Sequence, residues 1–304
     1  MTETPGRVAA IAAVIDVLRC PVCAGSLEIV GGSLRCSAAH TFDVARQGYV
    51  SLLDGRSGTL RADTAEMVAA RDRVHRAGVL AKVVETTATL AADALVSANS
   101  ERRPLIVDAG AGGGHYLRAA LTAAADRGVT PRGLGVDLSR QSARALARGP
   151  VPLTAVVADI WRGLPVADGS ASVVLSVFSP RNVAEFVRVL RPDGVLILVR
   201  PLPAHLGEIV GPMRMLSVDD AKSTRVHAAL ADHVQIIDEH ELTHQVTIPA
   251  STIADLAGMG PSAFHLRQSD FADLAAEFAG DGAVNVTVSV AVTVCRPAVA
   301  GPRW

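Results

Sequence analysis

Aromatic residues are scarce in this chain. With two Trp, two Tyr and six Phe among 304 residues, stacking on exposed bases cannot carry much of any interaction with a polynucleotide. Excess charge of one sign is also missing: the net charge is −1, so the molecule as a whole does not advertise a polyanionic partner. No run approaches the roughly 18 apolar residues that a bilayer span needs. The one apolar stretch near the start, Val8 to Leu18, is interrupted by Asp16 and preceded only by Arg7; it reads as a short helix rather than a secretory leader. Cysteine is limited to four residues, too few for a disulfide scaffold, so the cytoplasm, where thiols stay reduced, is the expected compartment. What is abundant is apolar side chain, 49 % of the chain, enough for one large domain with a core of its own and a small accessory one.

Three of the four cysteines are clustered, and with one histidine they form Cys20-x2-Cys23-x12-Cys36-x3-His40. Two tight turns at this spacing bring three thiolates and an imidazole onto one ion, and four protein ligands leave no open position for water. The expectation is structural zinc, with metal binding supplying folding energy to a segment too short to hold itself together. Cys295 lies far away in sequence and reads as a buried thiol.

Punctuation and periodicity divide the rest. Ser26 to Arg35 reads as a hairpin turning at Gly31-Gly32, and 64–98 as helix, with Asp63 or Thr64 capping its start and Gly78 as a break. From Pro104 strands and helices alternate. The apolar runs 105–108, 133–137, 153–158, 171–177 and 194–199 are too uniformly apolar for a half-solvated sheet and point to a mostly parallel one covered on both faces. A helix over 269–279 and a β-branched closing strand over 284–294 follow. The expected division is 1–60 as a zinc-binding module, 61–103 as a helical connector and 104–304 as the main domain.

Strand 105–108 ends in Asp108 and runs into Ala109-Gly110-Ala111-Gly112-Gly113-Gly114, then a helix. Glycines there let the chain turn sharply and let a ligand lie against the N–H groups of the helix start. Asp137, ending the next strand, stands where a carboxylate can receive the two hydroxyls of a ribose. The form Asp-x-Gly-x-Gly-x-Gly with a second acid differs from the dinucleotide fingerprint and is the pattern of S-adenosylmethionine-dependent methyltransferases.

Two further stretches carry a more specific likeness. Phe42-Asp43-Val44-Ala45-Arg46-Gln47-Gly48-Tyr49-Val50-Ser51-Leu52-Leu53 and Asp63-Thr64-Ala65-Glu66-Met67-Val68-Ala69-Ala70-Arg71, together with the cysteine module, resemble the bacterial 23S rRNA guanine-N1 methyltransferases, which act on a domain II hairpin loop near the macrolide-binding region. The chain departs from that family's usual pattern at Gly113, where a polar residue is common, and at Met259-Gly260-Pro261, where Met-Thr-Pro is usual. The resemblance implies a Rossmann-like class I methyltransferase with a seven-stranded, mostly parallel sheet, using S-adenosylmethionine and structural zinc, with 23S rRNA as partner, no membrane, and a homodimer. Its cofactor residues would be Asp108, Gly110, Gly112, Gly114, His115, Tyr116, Asp137 and Asp159; Asp159, Arg181 and His205 are the candidates for a catalytic base or for stabilising the deprotonated guanine. The 1–60 module would then serve RNA recognition, with contacts falling to Arg46, Tyr49, Arg61, Arg71 and Arg73 and with Arg56 in the same run; packing in the module's small core is the alternative for Tyr49. A small-molecule methyltransferase and a non-catalytic RNA-binding or resistance module are the alternatives.

Overall fold

In the computed structural model, residues 4–54, 61–98, 103–216, 232–280 and 282–298 are described; Arg56 lies outside them. The order along the chain is α1 (Thr4–Ala12), β1 (Leu27–Val30), β2 (Ser33–Cys36), β3 (Thr41–Asp43), β4 (Tyr49–Ser51), α2 (Ala65–Arg76) and α3 (Ala81–Ser97). Then come β5 (Leu105–Ala109), α4 (His115–Ala125), β6 (Arg132–Asp137), α5 (Arg140–Ala147), β7 (Thr154–Val157), β8 (Ala171–Val177), α6 (Val183–Val189) and β9 (Leu190–Pro201). The last elements are α7 (Gly207–Val210), β10 (Val234–Pro249), α8 (Ala250–Gly258), α9 (Gln268–Ala279) and β11 (Ala283–Pro297).

The small sheet is the expected hairpin, with Gly31 at φ 61°, extended by β3. The large sheet has the order β10-β11-β9-β8-β5-β6-β7-β4, parallel from β9 to β4 and antiparallel at β11 and β10. The class I methyltransferase fold is thus present, with one correction: the sheet has eight strands. The eighth is β4, three residues from the N-terminal segment that pair in parallel with β7, Tyr49 opposite Ala155 and Ser51 opposite Val157. Three residues between polar turns give too short a pattern to read as a strand.

Both faces are covered, as uniformly apolar strands require. On one face Leu105, Val107, Leu134 and Val136 pack with Leu18, Leu27 and Leu34, so the cysteine-bearing loops and the sheet share one core. On the other face Ile106, Leu175 and Ile197 pack with Val83, Ala91 and Leu95 of α3 and with α4, α8 and α9. Cores thus cross both expected boundaries, near 60 and 103.

Local signals account for the helical segment. The Thr64 hydroxyl accepts from the N–H of Met67 at 3.3 Å, capping α2, and Gly78 at φ 75° separates α2 from α3. Among the described helices none is long and apolar enough to cross a membrane.

Candidate functional site

Cys20, Cys23, Cys36 and His40 converge with their ligand atoms all within 4.8 Å of one another. Cys23 Sγ lies 3.7 Å from Cys36 Sγ, while His40 Nδ1 lies 3.6 Å from Cys20 Sγ and 3.3 Å from Cys36 Sγ. A tetrahedron with zinc–sulfur bonds of about 2.3 Å and zinc–nitrogen bonds of about 2.0 Å has edges of roughly 3.8 and 3.5 Å, which these distances match. Two alanines close the knuckles in the left-handed region, Ala24 at φ 57° and Ala39 at φ 64°. Such backbone persists where the surroundings over-determine it, here by Ala24 N–H donating to Cys20 O and Ala39 N–H to Cys36 O, at 2.8 and 2.9 Å. The cluster is a structural zinc site, and all four expected ligands are in it. Cys295, fully buried, has its thiol pushed up to about 12 by that burial and by Glu239.

The second site lies along the carboxyl ends of the parallel strands, at the point between β5 and β8 where strand order reverses, the place where open α/β sheets take ligands. Gly110, Gly112 and Gly114 adopt φ of 89°, 52° and 82°, and a Cβ at Gly110 would collide with the side chain of Ser179. Asp108 is only 1 % exposed, and its Oδ1 has no hydrogen-bond partner. Burial, then the charge of Asp137, pushes its carboxyl up to about 8. Burial raises Asp137 as well, against the N–H groups of Ser139 and Gly112, which donate to its two oxygens at 2.8 Å each. These features fit S-adenosylmethionine: glycine backbone open to a ligand, and an orphaned buried carboxyl that a bound cation would ionise.

The helix start beyond the loop is more crowded than the sequence suggested. His115 stacks on His75 with ring centroids 3.9 Å apart and pairs with Asp72 at 3.2 Å. Tyr116 is buried, its hydroxyl without a partner. Arg71 of α2 lies over the loop, where a Cβ on Gly112 would stand 3.2 Å from its guanidinium; Asp63 at 2.7 Å and the Met259 carbonyl at 2.8 Å hold it there. The Ser139 hydroxyl donates to Asp63 O at 2.7 Å, tying the same segment to β6. Asp63 and Arg71 were therefore missed as neighbours of the cofactor loop, because nothing in the sequence relates residue 71 to residue 112.

The base candidates separate. Asp159 caps a short 3-10 turn, its Oδ1 accepting from Trp161 N–H at 3.0 Å, and lines a cavity of about 570 Å³ between the zinc loops, the loop that follows β7 and α6. His205 Nδ1 accepts from Ser289 N–H at 3.2 Å, and burial pulls the imidazole down to about 4. The ring is therefore neutral at pH 7 with its proton on Nε2, which corrects the expectation of a general base: it can donate from Nε2 and cannot accept there. Arg181 is half-buried.

Of the expected RNA contacts, Arg46 is exposed, and Arg61 is exposed with its guanidinium 6.0 Å from the Phe264 ring. Tyr49 is corrected: 8 % exposed in the core of the α-helical face, it cannot stack on a base. Arg73 is corrected too, since its guanidinium grips both oxygens of Asp255 at 2.6 and 2.8 Å and latches α2 to α8. Arg71 is turned to the glycine loop instead of outward.

The chain matches the zinc-ribbon family described as RlmA, N-terminal, over residues 18–55, and the methyltransferase domain family over residues 107–198. It is 39 % identical over 284 residues to a 23S rRNA (guanine(748)-N(1))-methyltransferase of Streptomyces fradiae, covering 93 % of this chain and 98 % of that one. A putative 23S rRNA (guanine-N(1)-)-methyltransferase of Micromonospora griseorubida is 40 % identical over 294 residues, covering 92 % and 97 %. A Bacillus subtilis relative with the same putative description is 32 % identical over 256 residues, covering 82 % and 87 %.

Proposed function

Because the chain belongs to the 23S rRNA (guanine-N1)-methyltransferase family, we propose that it methylates N1 of a guanine in a domain II hairpin loop of 23S rRNA, in the cytoplasm, and that this bears on macrolide susceptibility. The observation that carries the reading is Asp108, buried and unpartnered at the foot of a left-handed glycine loop. S-adenosylmethionine supplies a methyl group on a sulfonium. Asp108 is suited to its ammonium, the N–H groups of the loop to its carboxylate, and Asp137, already oriented by Gly112 and Ser139, to its ribose hydroxyls. Most of the rate then comes from holding N1 about 3 to 3.5 Å from the methyl carbon in a site without water.

The zinc ribbon serves recognition in this reading. Its exposed Arg35 and Arg46 contact phosphates for positioning, while the target base is taken out of its stack to expose its pairing edge. The shared core behind the ribbon supports this, because it fixes the distance from the RNA contacts to the glycine loop. The family resemblance adds a homodimer to the proposal, which sedimentation equilibrium tests. The function itself is tested by mapping reverse-transcription stops on 23S rRNA from cells with and without the gene, since N1 methylation blocks pairing. A new stop in domain II is expected; identical maps would end the proposal.

A further inference from the structure

Beside the cofactor loop, at the ends of β8 and β9, stand three side chains whose arrangement nothing above explains. Phe178 is 39 % exposed and held at φ 50°, and Leu206, directly after His205, is held at φ 56°. Non-glycine residues are uncommon in that region, and bulky ones are genuine outliers. The Phe178 loop is pinned firmly: its N–H donates to Val199 O at 3.1 Å, and the Ser179 hydroxyl donates to Ala109 O at 2.7 Å while lying 2.9 Å from the Ser176 hydroxyl. Ala109 is the residue before Gly110, so the exposed ring is anchored one residue from a direct contact with the glycine loop. The Phe178 ring stacks on the imidazole of His205, with centroids 5.8 Å apart and planes 21° from parallel.

Two cations or donors in this corner have acceptors missing. Arg181, three residues after Phe178, is half-buried and makes no hydrogen bond or ion pair among the described residues; burial and the nearby charge of Arg200 both pull its pKa down. Its guanidinium keeps its contact with solvent here, and a base closing over it would have to replace that water with an acceptor. His205, its Nδ1 committed to Ser289, offers only an Nε2–H, and that group has no partner among the described residues. Every polar group this corner presents from the two side chains is thus a donor.

Resting on the guanine-N1 reading above, we propose that Phe178, backed on one face by His205, stacks its other face on the target guanine and that Arg181 donates hydrogen bonds to the O6 of that base, so that this corner both stabilises the N1-deprotonated base and selects guanine over adenine. Position 6 distinguishes the two purines: guanine presents an acceptor there and adenine an amine donor. Adenine N1 carries a free lone pair and would be the easier nucleophile, so the site has to refuse it by contact. A guanidinium facing an amine does so, leaving N–H groups unpaired once the base covers them. With guanine the N1–H bond breaks as the base docks, before water is excluded, and its proton passes to solvent, leaving charge shared between N1 and O6. The N1 pair then forms the bond to the methyl carbon as the carbon–sulfur pair returns to sulfur. No side-chain base is required; preorganised donors at the developing oxyanion do the work.

The test uses the full-length protein, labelled S-adenosylmethionine and domain II hairpin transcripts carrying guanine, inosine or adenine at the target position. The wild type is expected to methylate guanine and inosine at rates within about tenfold, because both carry O6, and to leave adenine untouched. Arg181→Gln should lower the single-turnover rate on guanine at saturating RNA by on the order of a hundredfold, with cofactor affinity unchanged within twofold. It should also narrow the guanine-over-adenine ratio, because its carbonyl can accept from the adenine amine. Arg181→Lys should recover part of the rate. Phe178→Leu should raise the KM for RNA by roughly tenfold with kcat little changed. Unchanged cofactor affinity shows each variant folded. A rate for Arg181→Gln within threefold of wild type, or no turnover of the inosine transcript, overturns the proposal while the family reading stands. A wild type inactive on the guanine transcript removes that reading and the proposal with it.

Discussion

The unpartnered carboxyl of Asp108 makes cofactor affinity depend on pH in a direction that can be worked out. In the free protein it titrates at about 8, held up first by burial and then by Asp137. A bound ammonium favours the ionised form, so the carboxyl titrates lower in the complex, and below pH 8 each binding event releases a proton. Affinity should therefore rise with pH, by up to about tenfold per unit between the bound-state value and 8, and stop rising above it. Asp108→Asn removes the effect while keeping the shape. At pH 8 the variant lacks a buried charged contact, on the order of 1.5–3 kcal/mol, or about ten- to a hundredfold in affinity. At pH 6 the wild type must first ionise a group two units below its value, about 2.7 kcal/mol, which cancels most of that advantage. The assay is calorimetric titration of both proteins at pH 6, 7 and 8. The ligand's own amine titrates equally in the two series, so their difference isolates the carboxyl. A gap that stays constant from pH 6 to 8 would refute the placement of Asp108 against the cofactor's cation.

Metal analysis should find one zinc per chain, lost in Cys23→Ser and His40→Ala; because Leu27 and Leu34 of the ribbon lie in the sheet's core, the loss should also lower the thermal midpoint of the whole molecule. Asp137→Ala should weaken cofactor binding by about 3 kcal/mol, on the order of a hundredfold, since it removes the ribose acceptor and frees the Gly112 and Ser139 N–H groups it holds; an unchanged dissociation constant would take it out of the site. Arg46→Ala should reduce the salt dependence of RNA binding by roughly one phosphate's worth. Arg73→Ala should leave that slope alone and cost about 1 kcal/mol of stability, discounted because the arginine is half-exposed, so a changed slope for Arg73→Ala would return it to the RNA surface.

Where local chemistry decides structure, the chain was legible. Thr64 caps the helix it stands before, Gly78 separates α2 from α3, and the fully apolar runs became the parallel strands. The zinc ligands were legible for the same reason: four residues spaced for two knuckles need no distant information. What escaped was long-range. β10 alternates inward and exposed residues only from His240 to Pro249 and is exposed from Gln235 to Asp238, because as an edge strand it gains its stability from pairing with β11. The misassigned cations share one cause as well. An arginine looks the same in sequence whether it faces solvent, Asp255 or a glycine loop, and only the fold separates Arg46, in the turn before β4, from Arg73 and Arg71 of α2.

The same packing bears on how the two halves of the task are joined. A zinc ribbon tethered by a flexible connector would have to find RNA and then present it, with the geometry set afresh each time. Here α2 reaches from the end of the N-terminal segment onto the glycine loop through Arg71, Asp63 binds the Ser139 hydroxyl, and β4 extends the sheet that ends in Asp137 and Asp159. A segment that contributes a strand, a core face and a cover for the loop cannot be removed without exposing the apolar faces of β7 and α4. A fragment beginning near Arg103 should accordingly fail to fold rather than retain cofactor binding, and circular dichroism with cofactor titration on that fragment decides it. A folded, cofactor-binding fragment would mean that the shared core is dispensable and that the ribbon is a separable reader of RNA.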